Sequence, residues 1–430
     1  METLKNFFNP KIIAIVGASP HKDKVGAILM EKALQSKCRV VPINPNHSYV
    51  LGKKCYKNIL EVPWKIDLAV IAIPAQFVIS VLEECGKKKV KSIIIISAGF
   101  AEARNFEAEK ELLSIAKKYK MRILGPNCFG IFNPKNNLDL TFSATTPESG
   151  DIAFISQSGA LWSYISDFSI GRFGFSGFAS LGNMADLEFN DFIKYFSADK
   201  KTKAIVLYIE KLKNGKKFIE TCKKSKKKIF VVKSGKSEKG AEAAVSHTAS
   251  LATDYEVYKG VFKQAGIELC ESLLEAFEKA SRKKLIEEIK VKKIKIGKKS
   301  FIITNAGGAG ALLVDYLSEN GFEIVDFKEL NNPLDLLGPA TSLDYKNALE
   351  KLKDEKIDSI FVILTPQSMS EIEETAKVIV NFKKQLEKKK RIIALFLGRK
   401  NMEKANKIFI ENNVLYFNTL EEVKQNLYSI

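Results

Sequence analysis

Histidine, tryptophan and cysteine are scarce in this chain, and what is scarce narrows the chemistry open to it. Three histidines, two tryptophans and six cysteines are spread over 430 residues. The cysteines (Cys38, Cys55, Cys85, Cys128, Cys222, Cys270) form no C-x-x-C pair and do not cluster with histidine. That spacing argues against a structural metal and against a disulfide framework, and it suits a reducing compartment. No apolar run approaches the roughly 20 residues that span a bilayer. The opening residues, METLKNFFNPKIIAIVGAS, lack a charged leader followed by an apolar stretch and a cleavage site. A cytoplasmic protein without membrane contact is expected.

What is there is an ordinary globular composition, 46% apolar and 27% charged, long enough for two or three domains. The formal charge is +18. Clustered lysines and arginines can contact nucleic-acid phosphates. Here they come in short runs (Lys87 to Lys89, Lys226 to Lys228, Lys388 to Lys390) without the interleaved aromatics of a stacking platform. Nucleic acid is not expected as a partner. The excess charge equally suits small polyanions such as phosphate.

Short β-branched runs alternate with helical patterns along the chain, the signature of parallel sheets with crossover helices. An α/β fold in three units is predicted. KIIAIVGAS, CRVVPINP, DLAVIAIP, KSIIIISAG and MRILGPN supply strands to a first domain over residues 1–145. DIAFISQSG, FSGFASLGN, KAIVLYIE and KIFVVKSG open a second over 146–284, closed by a helical stretch from about Thr253 to Lys283. A lysine-rich segment, 285–299, reads as a linker whose IKVKKIKI portion is also able to pair as an edge strand. SFIITNAGG, FEIVDF, SIFVILTP and RIIALFLG begin a third domain over 300–430. Ligands of such sheets bind beyond the carboxyl ends of the strands.

Three strand-to-helix turns stand out. In IVGASPHKDKVG, Gly17 and Gly26 bracket a turn whose helix start favours phosphate through unpaired amides and the helix dipole. It is not G-x-G-x-x-G, and the second strand ends in Pro42-Ile43-Asn44-Pro45 without a carboxylate for a ribose diol, so a dinucleotide fingerprint is missing. In ISQSGAL, Ser156, Gln157, Ser158 and Gly159 lie between a strand and an apolar helix. TNAGGAGALL has the same form, with Gly307, Gly308 and Gly310 allowing close backbone approach. Each turn alone is equally a plain helix cap; two in separate domains suggest a phosphate gripped between two dipoles.

His21 and His47 sit in polar, loop-like contexts and read as surface residues. His247 differs: Ser246, Thr248 and several alanines surround it, leaving room for a large group on the ring. A neutral imidazole can accept a phosphoryl group when a carboxylate fixes its tautomer. Glu210, at the end of KAIVLYIE, is placed at the carboxyl edge of the same sheet. Taken in isolation, a lone loop histidine is more often a structural residue.

Together these residues resemble the α subunit of archaeal ADP-forming acetyl-CoA synthetases, in the superfamily of succinyl-CoA synthetase. VGAS…KVG, PINP, IAIPA, ISAGFAE and GPNCFGIFNP look like its coenzyme A domain, of Rossmann-like fold. ISQSGAL, SLGNMADLEFNDFIKYF, LYIE and SHTASLA look like its phosphohistidine domain, and TNAGGAGAL with NNPLDLLGPA like its third domain, both flavodoxin-like. The resemblance implies that acyl-CoA, ADP and phosphate give a carboxylic acid, ATP and coenzyme A through an acyl phosphate and phospho-His247, with Glu210 orienting the ring. It implies phosphate contacts at Ser156, Gln157, Ser158, Gly159, Asn305, Gly307, Gly308 and Gly310. Coenzyme A would lie across Gly17, Ala18, Ser19, Pro20, Lys24, Val25, Gly26, Pro42, Ile43, Asn44, Ile73, Pro74, Ser97, Ala98 and Gly99. No ATP-grasp domain is visible, so a separate β subunit is expected to bind ADP or ATP with Mg in a hetero-oligomer. The sequence departs from the family at Ala249 and Thr253, where Gly is common, and at His21-Lys22-Asp23. The alternative from another class is a coenzyme A-binding sensor that kept the fold without the chemistry.

Overall fold

The computed structural model describes residues 2–242, 255–285, 294–327, 330–386 and 390–429. Its first sheet has five parallel strands in the spatial order Arg39–Ile43, Ile12–Val16, Leu68–Ile71, Ser92–Ile95 and Arg122–Leu124. Their near-continuous apolar runs are what a sheet covered by helices on both faces requires. Ile13, Ala14, Val70, Ile93 and Ile94 are fully buried accordingly.

The second sheet runs Glu268–Leu269, Lys228–Lys233, Ala204–Ile209, Ser149–Ser156, Phe175–Ser180, Ile131–Asn133 and Leu138–Asp139. The last two strands come from the stretch read in the sequence as the end of the first domain. They join antiparallel because Phe132, in register with Phe178, reaches the buried Trp162, which in turn stacks on Phe178 at 4.1 Å. The closing stretch is not one helix. It is two, Tyr255–Ala265 and Leu273–Ser281, parted at Gly266 (φ +68) by the short edge strand.

The third sheet places Glu323–Ile324, Lys299–Thr304, Ser359–Leu364, Arg391–Phe396 and Leu415–Phe417 in parallel, with Leu334–Asp335 also pairing to Lys299–Thr304. Within the lysine-rich stretch, Ile294–Ile296 pairs in parallel with Leu427–Ser429. Among the described residues no helix is long and apolar enough to cross a membrane.

The cores ignore the boundaries between sheets. One apolar cluster runs from Phe154, Trp162 and Phe178 of the second sheet's surroundings into Ala309, Leu313 and Leu317 of the third. Another joins Phe7, Phe8 and Leu29 to Phe192 and Phe196, with Phe8 stacked on Tyr195 at 4.6 Å. Two buried acids clamp the second and third units. Asp167 accepts from Arg399 N (2.6 Å), Asn401 Nδ2 (2.7 Å) and Thr145 Oγ1 (3.1 Å). Glu421 accepts from Leu274 N at 3.0 Å.

Burial pushes the Glu421 carboxyl above its ordinary 4.5, against the opposing pull of its hydrogen bonds. The folded chain therefore holds this proton more tightly than the unfolded one. The contribution to stability is complete below 4.5 and is lost as pH rises through the raised value. Glu421→Gln keeps the acceptor for Leu274 and removes the charge. Its melting temperature is expected to match wild type near pH 4 and to exceed it near pH 8, the gap opening as wild type ionises. Equal melting temperatures throughout would contradict this.

Candidate functional site

The second and third sheets each send a strand into a helix at one shared place. Ser149–Ser156 feeds the helix Ala160–Phe168, and Lys299–Thr304 feeds the helix Gly307–Glu319. Neither helix has a side-chain cap at its start, which leaves first-turn N–H groups for another acceptor. The two starts abut. A Cβ on Gly308 would lie 2.5 Å from both Cβ and Oγ of Ser158, so only glycine permits this approach. The Tyr208 hydroxyl, fully buried, donates to the Gly308 carbonyl at 3.2 Å.

The residues expected around phosphate divide into those facing this junction and those shaping it. The Ser156 hydroxyl, wholly buried, donates to the Ser158 carbonyl at 2.6 Å and so shapes its own turn. Asn305 is likewise engaged, its Oδ1 accepting from Thr365 N at 2.9 Å and its Nδ2 donating to Thr365 O at 3.3 Å. Gly310 packs on Thr304 and Pro333 inside its own domain, and Gly159 lies against Phe129. Gln157 reaches across to the neighbouring strand. Its Oε1 accepts from Glu210 N at 2.6 Å and Lys211 N at 2.8 Å, which fixes Glu210 at the carboxyl edge, 7% exposed.

The Tyr208 phenol is raised well above its ordinary value, first by burial and then by the charge of Glu210, while the Ser234 hydroxyl pulls the other way. Tyr208, Ser234 and Glu210 are thus electrostatic neighbours. His247, together with Ala249 and Thr253, lies outside the described residues. The chain on its way there is held from the third domain. Asp315 accepts from Gly235 N (2.7 Å), Lys236 N (2.8 Å) and Ser237 N (2.9 Å). Burial raises its carboxyl despite those bonds, which lower it. Sequence reasoning passes over Asp315, although an acid inside the apolar run ALLVDYL is a signal.

The first sheet forms a second constellation at its own carboxyl edge. Gly17, at φ +90, donates from its backbone to Ile43 O at 3.0 Å, and Asn44 Nδ2 donates to Ala18 O at 2.8 Å. Ser97 Oγ donates to Ile73 O at 2.5 Å and accepts from Ile73 N at 3.2 Å. The turns at Gly17 to Ser19, Pro42 to Asn44, Ile73-Pro74 and Ser97 to Gly99 are thereby brought together. The helix Val25–Ala33 starts against them, a Cβ on Gly26 meeting the Gly17 carbonyl oxygen at 1.8 Å. Lys24 stands at that start without capping it; its side chain and that of Asp23, 3.3 Å apart, are largely exposed, as are Pro20 and Ala98. His21 is exposed as expected, but His47 is half-buried, its ring centre 6.2 Å from that of His21. Glu102, which closes ISAGFAE but receives no role from sequence reasoning, accepts from Gly99 N at 2.5 Å and from Asn183 Nδ2 of the second domain at 2.5 Å.

Residues 11–134 match the family model described as a CoA binding domain, and residues 149–281 match the succinyl-CoA ligase like flavodoxin domain. The chain is 37% identical to the acetate–CoA ligase [ADP-forming] II subunit alpha of Pyrococcus furiosus, covering 99% of this chain and 97% of that one. It is 41% identical over 79% of its length to the acetate–CoA ligase [ADP-forming] of Methanocaldococcus jannaschii, of which the match spans only 50%. Among solved structures, the Ca. Korarchaeum cryptofilum dinucleotide forming acetyl-coenzyme A synthetase 1, in complex with phosphate and ADP, superposes with a TM-score of 0.63. That match is 33% identical and covers 99% of this chain and 95% of the other.

Proposed function

The chain belongs to the α subunits of the ADP-forming acyl-CoA synthetases, and from that premise we propose how its residues divide the reaction. Coenzyme A lies along the carboxyl edge of the first sheet, against Gly17 to Ser19, Lys24 to Gly26, Asn44 and Ile73-Pro74. Phosphate attacks the thioester carbonyl of acyl-CoA, the C–S bond breaks, and the thiolate leaves with a proton. The acyl phosphate then gives its phosphoryl group to His247; the P–O bond to the acyl group breaks and the carboxylate departs. Glu210 accepts from the far N–H of the imidazole and stabilises the ring while it carries charge. Amides at the starts of Ala160–Phe168 and Gly307–Glu319 face the phosphoryl oxygens. Fixed donors of this kind are worth about 3 kcal/mol each in comparable sites.

The observation that carries this reading is the abutment of two uncapped helix starts beside a carboxylate whose backbone Gln157 holds. The M. jannaschii relative is about twice the length of its match to this chain. The P. furiosus relative covered to 97% is named a subunit alpha, and this supports assigning the nucleotide-binding step to a separate ATP-grasp subunit, which binds ADP with Mg in a hetero-oligomer. The whole arrangement is placed in the cytoplasm.

Incubation of the chain with acyl-CoA and labelled phosphate tests the reading. The expected product is an acid-labile, base-stable phosphate that peptide mapping assigns to His247, with no ATP formed until the partner and ADP are added. A chain that binds coenzyme A but never takes up label is a sensor instead.

A further inference from the structure

Lys233 closes the strand Lys228–Lys233, in register with Ile209, so that Glu210 is the next residue along on the neighbouring strand. Its side chain is buried, the residue being 3% exposed. The ammonium donates to the Ser234 carbonyl and lies 4.5 Å from the centre of the Tyr258 ring. Among the described residues no carboxylate stands within ion-pair distance of it. Surface lysines of this chain find acids readily, as Lys217 does with Glu188 at 2.6 Å. A buried cation outside ion-pair contact is costly, even with the carboxylates of Asp315 and Glu210 acting on it from further off.

A second group on the same strand ends is also incomplete. The Gln157 carbonyl oxygen is taken by the amides of Glu210 and Lys211, while its Nε2, fully buried, has no acceptor. A buried amide donor left open is similarly unfavourable. Ser234, the residue after Lys233, sits beside the Tyr208 hydroxyl that contacts Gly308. The ammonium, the open amide and the two uncapped helix starts thus lie at the carboxyl ends of strands of neighbouring position, Lys228–Lys233 being two strands from Ser149–Ser156. All are donors or positive: the amide and the helix starts lack side-chain acceptors, and the ammonium has a carbonyl and an aromatic face but no ion pair among the described residues.

We propose that Lys233 is a further phosphate-binding residue of this enzyme, its ammonium neutralising the phosphoryl anion held at that edge, with Gln157 Nε2 as a second donor. Lys233 forms no bond to phosphorus and moves no proton; it supplies charge only. Burial draws its ammonium down to about 8, and Asp315 and Glu210 work against that fall, so it remains mostly charged near neutrality. The proposal rests on the phosphate chemistry proposed above, but its test reads non-covalent binding separately.

Titration of the whole chain with inorganic phosphate, followed by calorimetry, is to be compared for wild type, Lys233→Met and Lys233→Arg. The methionine variant loses a buried charge that has no ion pair and keeps the volume, so it is expected to melt no lower than wild type and to bind coenzyme A normally. Its phosphate affinity should fall roughly tenfold to a hundredfold, the worth of a charged hydrogen bond, and the arginine variant should recover part. Wild-type phosphate affinity in Lys233→Met overturns the proposal. A measurement without substitution stands beside it: the Nζ resonance of Lys233 in nitrogen-15-lysine wild type should shift with added phosphate, and an unmoved resonance equally overturns the proposal. If wild type binds phosphate through Lys233 yet takes no label from acyl-CoA, the phosphohistidine reading fails and the phosphate-binding role of Lys233 stands. Undiminished labelling in Lys233→Met removes that role and leaves the phosphohistidine reading intact.

Discussion

Phosphate incorporation from acyl-CoA is expected to vanish in His247→Ala and to fall by roughly 10²–10⁴ in Glu210→Gln. The two losses differ because the two groups do different work. A nucleophile that forms the covalent bond has no substitute once its imidazole is gone. The remaining histidines, His21 and His47, stand together beside the first sheet rather than at the junction of the second and third. Glutamine at 210 leaves the fold alone, since Gln157 holds the backbone N–H of this residue and not its carboxylate. It removes the negative charge that fixes the tautomer and steadies the charged ring, a charge that also acts on Tyr208 and Lys233. Coenzyme A titration of both variants should match wild type, because Gly17 and its neighbours belong to another sheet. Label persisting in His247→Ala at a different residue would break the assignment.

Gly26→Ala is expected to strike the other half of the molecule. Its methyl group would lie 1.8 Å from the Gly17 carbonyl oxygen and 2.8 Å from the carbonyl carbon, both backbone atoms. Gly17 has no freedom to yield. It sits at φ +90, and its own missing side chain would run into the Ala72 carbonyl oxygen at 2.2 Å. The helix Val25–Ala33 must then lift from the turn, carrying its first amides away from whatever anion they face. Overpacking of this kind costs about 1–3 kcal/mol in stability. Coenzyme A affinity should drop by about tenfold or more, because the displaced amides are themselves ligands in this reading. Gly260→Ala serves as the control: it lies in the helix Tyr255–Ala265, and among the described residues its added methyl meets nothing within 4 Å outside its own stretch of helix. Coenzyme A binding is to be measured for the two variants side by side, and equal affinities would refute the role given to the turn.

Much of this architecture can be read from residue order. KIIAIVGAS, KAIVLYIE and SFIITNAGG announce parallel strands because each is a β-branched run ending in small residues, and each becomes one. The glycine turns after Ser156 and Thr304 are legible as helix starts for the same reason. That the two touch is not legible, since a Cβ clash between Gly308 and Ser158 depends on how two domains dock. Adjacency in sequence assigns residues 131–139 to the first domain, whereas side-chain packing of Phe132 on Trp162 puts them in the second sheet. The strand Leu415–Phe417 escapes notice because the four residues between Asn413 and Asn418 carry too little pattern. Asp315 and Lys233 read as routine charges in routine elements. Only burial sets them apart, and a periodicity argument does not see which charges a neighbouring domain will cover.

Because Trp162, Phe178 and Leu313 share one apolar cluster, severing the polypeptide in its lysine-rich stretch would not yield two independent proteins. Each fragment would carry half of an oily seam into water and would seek the other half. The second and third units are therefore expected to unfold as one body.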